Sequence, residues 1–260
     1  MNNEFPVIKI EGGRVDPRQC IEKGTGGALF GAFCAAILGT LFGILVTYGI
    51  ALIVLLLSPL FAWYMNRKAV ALIHGSGIKV DSEQFPAIHD CTVNFAQRLG
   101  VTKPVDVYIV DDNVANALAV RYGKKNIVLL TDELIKGCLH SGIPTALSYV
   151  IGHEMGHIAL KHNGIFRSWM RMHLKKLGRL DEYSADKVAL SLVGDKNAAF
   201  YGLLMLTVGY SLLAYVNPQR VVTQAQEVAA DKYSKKAERP LTHPLLLNRL
   251  HRILTSKPAA

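Results

Sequence analysis

Between Lys23 and Arg67 the chain has 43 consecutive residues without an Asp, Glu, Lys or Arg. At 1.5 Å per residue, one helix of that length would measure about 65 Å, roughly twice the hydrocarbon core of a bilayer. The stretch therefore predicts two membrane passes that reverse near the glycines at 39, 43 and 49. A single long tilted helix is the alternative. A cleavable signal peptide is not expected, since mostly polar residues precede the run.

Basic residues flank this apolar stretch on both sides: Arg14, Arg18 and Lys23 precede it, and Arg67 and Lys68 follow it. In a hairpin both flanks lie on one side of the membrane, which the positive-inside rule makes the cytoplasm. The net charge of +9 suits a protein beside anionic lipid. No cluster of Lys and Arg is interleaved with aromatic residues, so nucleic acid is not an expected partner.

Composition agrees with a membrane anchor and a reducing compartment. Half of the residues are hydrophobic, and the mean hydropathy of +0.24 is high for a soluble enzyme. The four cysteines form no C-x-x-C pair and no disulfide framework, as expected for a chain that faces the cytosol.

The remaining sequence predicts helices around a small sheet. Asp81 and Ser82 are expected to cap a first helix that ends before Gly100. Apolar runs predict strands at 105–110, 117–122 and 126–131, of which the last two suit a hairpin. A helix over 144–162 is expected to begin at Pro144 and to end near Gly164, and a second helix is predicted over 180–193.

A basic segment lies between these two helices, where Arg167, Arg171 and Lys175 follow each other at four-residue steps. Such spacing is typical of a solvated helix face. The alternative is a contact with lipid headgroups, which Trp169 and Met170 would assist.

The chemistry is concentrated in "HEMGH", residues 153–157. Residues four apart share a helix face, so His153 and His157 direct their imidazoles at one point, a common arrangement of zinc ligands. Glu154 follows the first ligand and is placed to act as a general base. Because the pattern fixes only three positions and also arises by chance, further ligands are needed.

A three-histidine site would require glycine and histidine where the chain has Leu160 and Asn163. His162 lies one residue before the position at which the three-histidine pattern requires a ligand, and it is interpreted as a surface or helix-end histidine. The other common solution takes a glutamate from the next helix. Glu182 can complete the ligand set there, while Asp186, four residues on, can bond the far nitrogen of a ligating histidine. Taken alone, these two would be ordinary surface acids.

The motifs "NALA", "HEMGH", "EYSAD" and "THP", with an arginine shortly after the last, resemble the M48 family of membrane-associated zinc metallopeptidases, in particular its HtpX-like branch. The resemblance runs from about Trp63 to Ile253. It implies an α+β, mainly α fold: a zincin-like metallopeptidase domain with a small β-sheet, behind an N-terminal transmembrane helical hairpin. The expected domains are a cytoplasmic segment (1–23), the hairpin (24–66) and the metallopeptidase domain (67–260).

The resemblance also implies further roles. Asn116 and Ala117 would lie on an edge strand that pairs with an extended peptide substrate. His243, and with it Arg249, would approach the oxyanion of the reaction. Leu118 departs from the family pattern and leaves the shape of that substrate wall open. If 198–216 crossed the membrane, His243 could not reach His153, so this apolar stretch is expected to be a core or membrane-resting helix.

The expected function is a membrane-anchored, Zn²⁺-dependent endopeptidase of the cell inner membrane, with two or more passes and its catalytic domain in the cytoplasm. By resemblance, its substrates would be proteins or peptides, including misfolded membrane proteins under quality control, and its surroundings membrane lipid. Two alternatives remain: a non-catalytic adaptor or chaperone that holds unfolded chains in the same groove, and a structural zinc domain. The latter usually has four protein ligands, and no fourth ligand is visible.

Overall fold

The computed structural model describes residue 8 and residues 11–122, 125–140 and 142–256. Its elements are a short 3₁₀ helix (Pro17–Cys20), α1 (Thr25–Val46), α2 (Ile50–Ser76), β1 (Ile78–Val80), α3 (Pro86–Arg98), β2 (Val105–Val110), β3 (Ala117–Tyr122), β4 (Lys125–Thr131), α4 (Asp132–His140), α5 (Thr145–Ala159), α6 (Ile165–His173), α7 (Lys175–Val193), α8 (Lys196–Leu213), α9 (Pro218–Ala230), α10 (Lys232–Glu238) and α11 (Leu246–Thr255). The predicted α+β, mainly α class is confirmed.

The long uncharged stretch forms two helices, as predicted, with a reversal at 47–49. Tyr48 and Gly49 both have positive φ there, 51° and 90°. Among the described residues, α1 and α2 are the two helices long and apolar enough to cross a bilayer. The helix α2 continues ten residues beyond the predicted end of the hairpin, and Val70 packs against Tyr108 and Ile127 on the outer face of the sheet.

The sheet has the strand order β1-β2-β4-β3, with β2 and β4 parallel and the other pairs antiparallel. The predicted β3–β4 pairing is therefore confirmed, and β3 is an edge strand. The inner face of β2 and β4 contributes Val107, Ile109, Val128 and Leu130 to the main core, together with α3, α5, α7 and α8. The sheet thus places an unpaired edge beside α5.

Several predicted boundaries are wrong for local reasons. Asp81 does not cap α3: its carboxylate accepts the N–H groups of Glu83 and Gln84 and closes a turn, 2.9 Å each. The helix instead begins at Pro86, which has no N–H to satisfy. The helix α5 ends at Ala159, and Gly164 precedes α6 rather than ending α5.

The apolar helix α8 is a core helix in its first half, which confirms that part of the prediction. Ala198, Phe200 and Met205 are buried, whereas Leu212 and Tyr215, beyond the break in helical geometry at Gly209, are exposed.

Glycines allow α5 and α7 to pack at short distance. A Cβ on Gly152 would lie 3.3 Å from the Ala189 Cα, and one on Gly156 would lie 3.1 Å from the Val188 Cβ and 3.2 Å from the Ala185 Cα. Both glycines fall four residues apart, on the α5 face toward α7. No larger residue fits at these positions without separating the helices.

Replacement of Gly156 by valine is expected to lower the free energy of unfolding by about 1–3 kcal/mol, because the added methyl groups meet backbone atoms of α7. Thermal unfolding in detergent measures the change. Gly75→Val is the matched control, since a Cβ there meets nothing within 4 Å. Equal shifts for the two variants would contradict the role of close packing.

Candidate metal centre

Three ligand atoms from two helices converge at the inner end of a cleft. The Nε2 atoms of His153 and His157, on α5, are 3.1 Å apart. On α7 the Glu182 carboxylate lies 3.4 Å from the first Nε2 and 3.5 Å from the second. All three side chains are buried, and their ligand atoms lie within 4.8 Å of one another. Two imidazoles and a carboxylate suit a divalent cation of the zinc type.

The free nitrogen of His153 is fixed by Asp186, one turn after Glu182. The Nδ1 atom is 2.9 Å from the Asp186 carboxylate, which also accepts hydrogen bonds from the Tyr149 hydroxyl (2.9 Å) and the Arg249 guanidinium. A carboxylate can only accept, so Nδ1 carries the proton. When His153 is neutral, the lone pair of Nε2 is therefore directed at the shared point, as a metal ligand requires.

His162, interpreted as a surface or helix-end histidine, does follow the end of α5, but it does not lie on the surface. It is buried, and its Nδ1 lies 3.1 Å from the Nδ1 of His157. The chain turns back after α5 through Lys161, whose φ is 60°, and so brings His162 beneath the helix. If His157 offers Nε2 to a cation, its Nδ1–H donates to His162.

The hydrogen-bonded chain continues beyond His162. Its Nε2 is 3.4 Å from the carboxylate of Asp181, a fully buried group that Arg167 of α6 also contacts. Each of the two ligand histidines is therefore linked to a buried acid. His153 contacts Asp186 directly, and His157 is linked to Asp181 through His162. Neither Asp181 nor His162 was singled out as part of the site from the sequence. The adjacency of Asp181 to Glu182 was the available signal.

The pKa values of the two histidines diverge. Burial lowers the pKa of His157 to about 3. Burial acts in the same direction on His153, but hydrogen bonds with Asp186 and Glu182 outweigh it and raise the pKa to about 9. Because a ligating histidine must be neutral, cation binding at this site would release a proton from His153.

Arg249 lies deeper than the sequence interpretation placed it. Its guanidinium forms two hydrogen bonds with Asp186, of 2.9 and 2.7 Å, and approaches Glu182 to 3.7 Å. These contacts hold the pKa of Asp186 well below its usual range, although burial alone would raise it. Arg249 is part of the cleft lining, but the carboxylates of Asp186 and Glu182 neutralise its charge. These contacts hold the guanidinium beside the ligand cluster, and its role toward a substrate stays a prediction.

Glu154 is buried next to His153, His157 and Glu182, on the side of the site that faces β3. Burial raises the pKa of its carboxyl, and a hydrogen bond from the Ala119 backbone opposes that shift. A carboxylate with a raised pKa is a stronger base than an exposed one.

His243 reaches the site from the segment between α10 and α11. Its Nδ1 is 3.1 Å from the Glu182 carboxylate, and 70% of its side chain is exposed. The hydrogen bond with Glu182 raises the pKa of His243. Gly178 of α7 makes this approach possible, since a Cβ there would lie 2.7 Å from the Thr242 carbonyl oxygen.

The edge strand differs in one detail from the expectation. Asn116 precedes β3, and its backbone is already paired with Thr131: its N–H donates to the hydroxyl and its carbonyl accepts from the N–H. The Asn116 side chain accepts the N–H of Ala117 at 2.9 Å. Further along the strand, the N–H of Ala119 is directed at the Glu154 carboxylate.

A cavity of about 370 Å³ lies over these groups. Its walls include the three converging ligands, Glu154, the start of β3 from Asn116 to Ala119, His243 and Arg171. Arg171 comes from α6 and was predicted to lie on a solvated face. The structure turns it inward, where it contacts Ser168 at 3.3 Å.

Comparison with known proteins agrees with this arrangement. Residues 82–175 match the model of peptidase family M48. The chain contains an M48 peptidase region. The chain is also 28% identical, over 203 residues, to a protease HtpX homologue from Methanocaldococcus jannaschii, and the match covers 76% of this chain and 67% of that relative. No solved structure gives a significant match.

The predicted resemblance to M48, HtpX-like peptidases is confirmed by these two matches, which support a protease. The M48 model covers α5 with His153, Glu154 and His157, but it ends before Glu182 and Asp186. The assignment of those two residues in the peptidase therefore depends on the geometry described above.

Replacement of Arg249 by methionine is expected to destabilise the peptidase by about 3–5 kcal/mol, because it leaves the Asp186 charge buried without its partner. Thermal unfolding measures the loss, with exposed Arg220→Met as the control. Adding Asp186→Asn to the first variant should restore part of the stability, since the unpaired charge is then removed. No recovery in the double variant would argue against this explanation.

Proposed function

We propose that the protein is a membrane-anchored zinc endopeptidase. The observation that carries the proposal is the convergence of His153, His157 and Glu182 on one point, with the buried carboxylate of Glu154 beside it. These ligands leave room for a fourth, non-protein ligand, as catalytic zinc sites do and structural sites usually do not. A peptidase identity together with this donor set favours zinc over a purely structural cation.

In the proposed reaction, His153, His157 and Glu182 would hold the cation, which would supply the Lewis acidity that makes hydrolysis possible near neutral pH. Glu154 accepts the proton of the attacking water and then delivers it to the leaving amine. Its burial keeps this carboxylate basic. His243, which contacts Glu182 at the solvent-exposed side of the site, donates a hydrogen bond to the developing oxyanion.

The substrate is expected to bind as an extra strand on β3. The strand is at the sheet edge, and its residues Ala117 and Ala119 line the cleft beside Glu154. Backbone pairing of this kind reads an internal stretch of extended peptide, which supports endopeptidase activity. Leu118, half-exposed on the same strand, would contact substrate side chains.

The domain organisation proposed here has residues 24–66 in the membrane and 67–260 as the metallopeptidase domain. The two apolar helices and the basic residues at both ends of the hairpin support an inner-membrane protein with its catalytic domain in the cytoplasm. Membrane proteins that have lost their fold are the proposed substrates, since they expose extended segments beside the bilayer. Quality control is the corresponding role.

Replacement of Glu154 by glutamine is expected to lower kcat for a casein-type substrate about 10²- to 10⁴-fold, because the general base is lost. Metal content, measured on the same purified sample by elemental analysis, should not change. His153→Ala should lose both activity and metal. Full activity in Glu154→Gln would overturn the assignment of Glu154 as the general base, whereas absence of cleavage by the unsubstituted, metal-loaded protein would favour a holding function of the cleft.

Replacement of His162 by phenylalanine is expected to weaken zinc affinity about 10- to 100-fold, since the ring shape remains but the acceptor for the His157 Nδ1–H is lost. Competition with a chromogenic chelator measures the affinity. His89→Phe, on α3 and remote from the cleft, is the control. Unchanged affinity would show that His162 does not position the ligand.

A further inference from the structure

Helix α6 exposes a stripe of large apolar side chains. Ile165, Phe166 and Met172 are 80%, 58% and 64% exposed, and Trp169, which lies between them, is partly buried. Positions i, i+1, i+4 and i+7 fall on one helix face. An exposed apolar face of this kind marks an interaction surface.

The charged residues of the same helix point the other way. Arg167 contacts the buried Asp181, and Arg171 lines the catalytic cleft. A helix in water would turn these guanidinium groups outward and its apolar side chains inward. The polarity of α6 is therefore opposite to that of a solvated helix, which replaces the expectation of a basic outer face.

The apolar stripe is continuous with α1. Ala28, Ala32 and Met170 share a small core with α7, and the rings of Phe33 and Phe166 lie 6.4 Å apart. Phe30 extends the exposed surface, and a groove of about 540 Å³ runs between the two helices. The apolar surface of α1 that would face acyl chains thus adjoins the apolar side of α6, with Lys161 and Arg167 also lining the groove.

The contact lies well along α1 rather than at its beginning. A Cβ on Gly39 would lie 3.8 Å from the His173 imidazole. Gly39 is 14 residues after Thr25, or about 21 Å along the helix axis. If α1 crosses a bilayer, α6 lies beside the crossing segment and cannot be far from the membrane.

We propose that α6 is inserted in the membrane, with Ile165, Phe166, Trp169 and Met172 in contact with phospholipid acyl chains. This inference rests on the proposed membrane crossing by α1 and α2. Exposed lysines, Lys161 before the helix and Lys175 and Lys176 after it, lie at the two ends of α6. They complement anionic headgroups, which favours a bilayer over a protein partner for this face.

The tryptophans allow a direct test, because the chain has two, Trp63 in α2 and Trp169 in α6. In Trp63→Phe the emission reports on α6 alone. The full-length variant is reconstituted in vesicles of phosphatidylcholine and phosphatidylglycerol, with or without brominated acyl chains. The proposal expects bromolipid to quench Trp169 and a water-soluble quencher such as iodide to leave it unaffected.

The companion variant Trp169→Phe reports on Trp63 in the anchor. Quenching of Trp63 by bromolipid without quenching of Trp169 would overturn the insertion of α6 while retaining the membrane anchor. Quenching of neither tryptophan would mean that α2 is not in the bilayer, and the proposed anchor would then fail as well. The two failures are therefore distinguishable.

A polar variant tests the contact residues themselves. Ile165→Gln together with Met172→Gln, in the Trp63→Phe background, should reduce bromolipid quenching and admit iodide, while flotation shows that the protein stays with the vesicles. Tyr233→Gln, an exposed aromatic on α10, should change neither. If Phe166→Cys instead forms a disulfide between two chains, a second copy covers this face and the proposal is wrong.

Discussion

The close approach of α5 and α7 is the constraint on which the candidate metal centre depends. Gly152 and Gly156 leave the α5 face without side chains, and the small residues Ala185 and Ala189 face them from α7. The helix that carries both histidines therefore lies within reach of a carboxylate on its neighbour. With bulkier residues the same ligands would be present in the sequence, but their atoms would not meet.

Buried charge is tolerated here because nearly every ionic group has a defined partner. Asp186 is bonded by Arg249, His153 and Tyr149, and Asp181 is contacted by Arg167. Such networks cost desolvation energy and contribute little net stability, but they fix ring orientations that water would leave free. A site that must present two imidazole nitrogens to one point benefits from that rigidity.

Periodicity and motif spacing predicted much of this fold, and tertiary contacts explain the errors. The strands over 105–110 and 117–122 and the pairing of β3 with β4 were predicted because their apolar runs are short and bounded by turns. The burial of His162 was not, because it depends on a backbone turn at Lys161 that no local pattern announces. Arg249 was recognised, but spacing alone does not reveal that two carboxylates neutralise it. The roles of these side chains in hydrolysis remain predictions.

The segment before α1 contacts α7, the helix that carries Glu182, at several points. The buried carboxylate of Glu22 pairs with Lys187 of α7 and with Arg252 of α11, and its N–H donates to Ser184. Only two residues separate Glu22 from the start of α1. The junction is therefore short, and the contacts of Glu22 join the start of α1 to α7, the helix that carries Glu182. If α1 crosses a bilayer, these contacts set the height and the orientation of the cleft relative to the membrane surface.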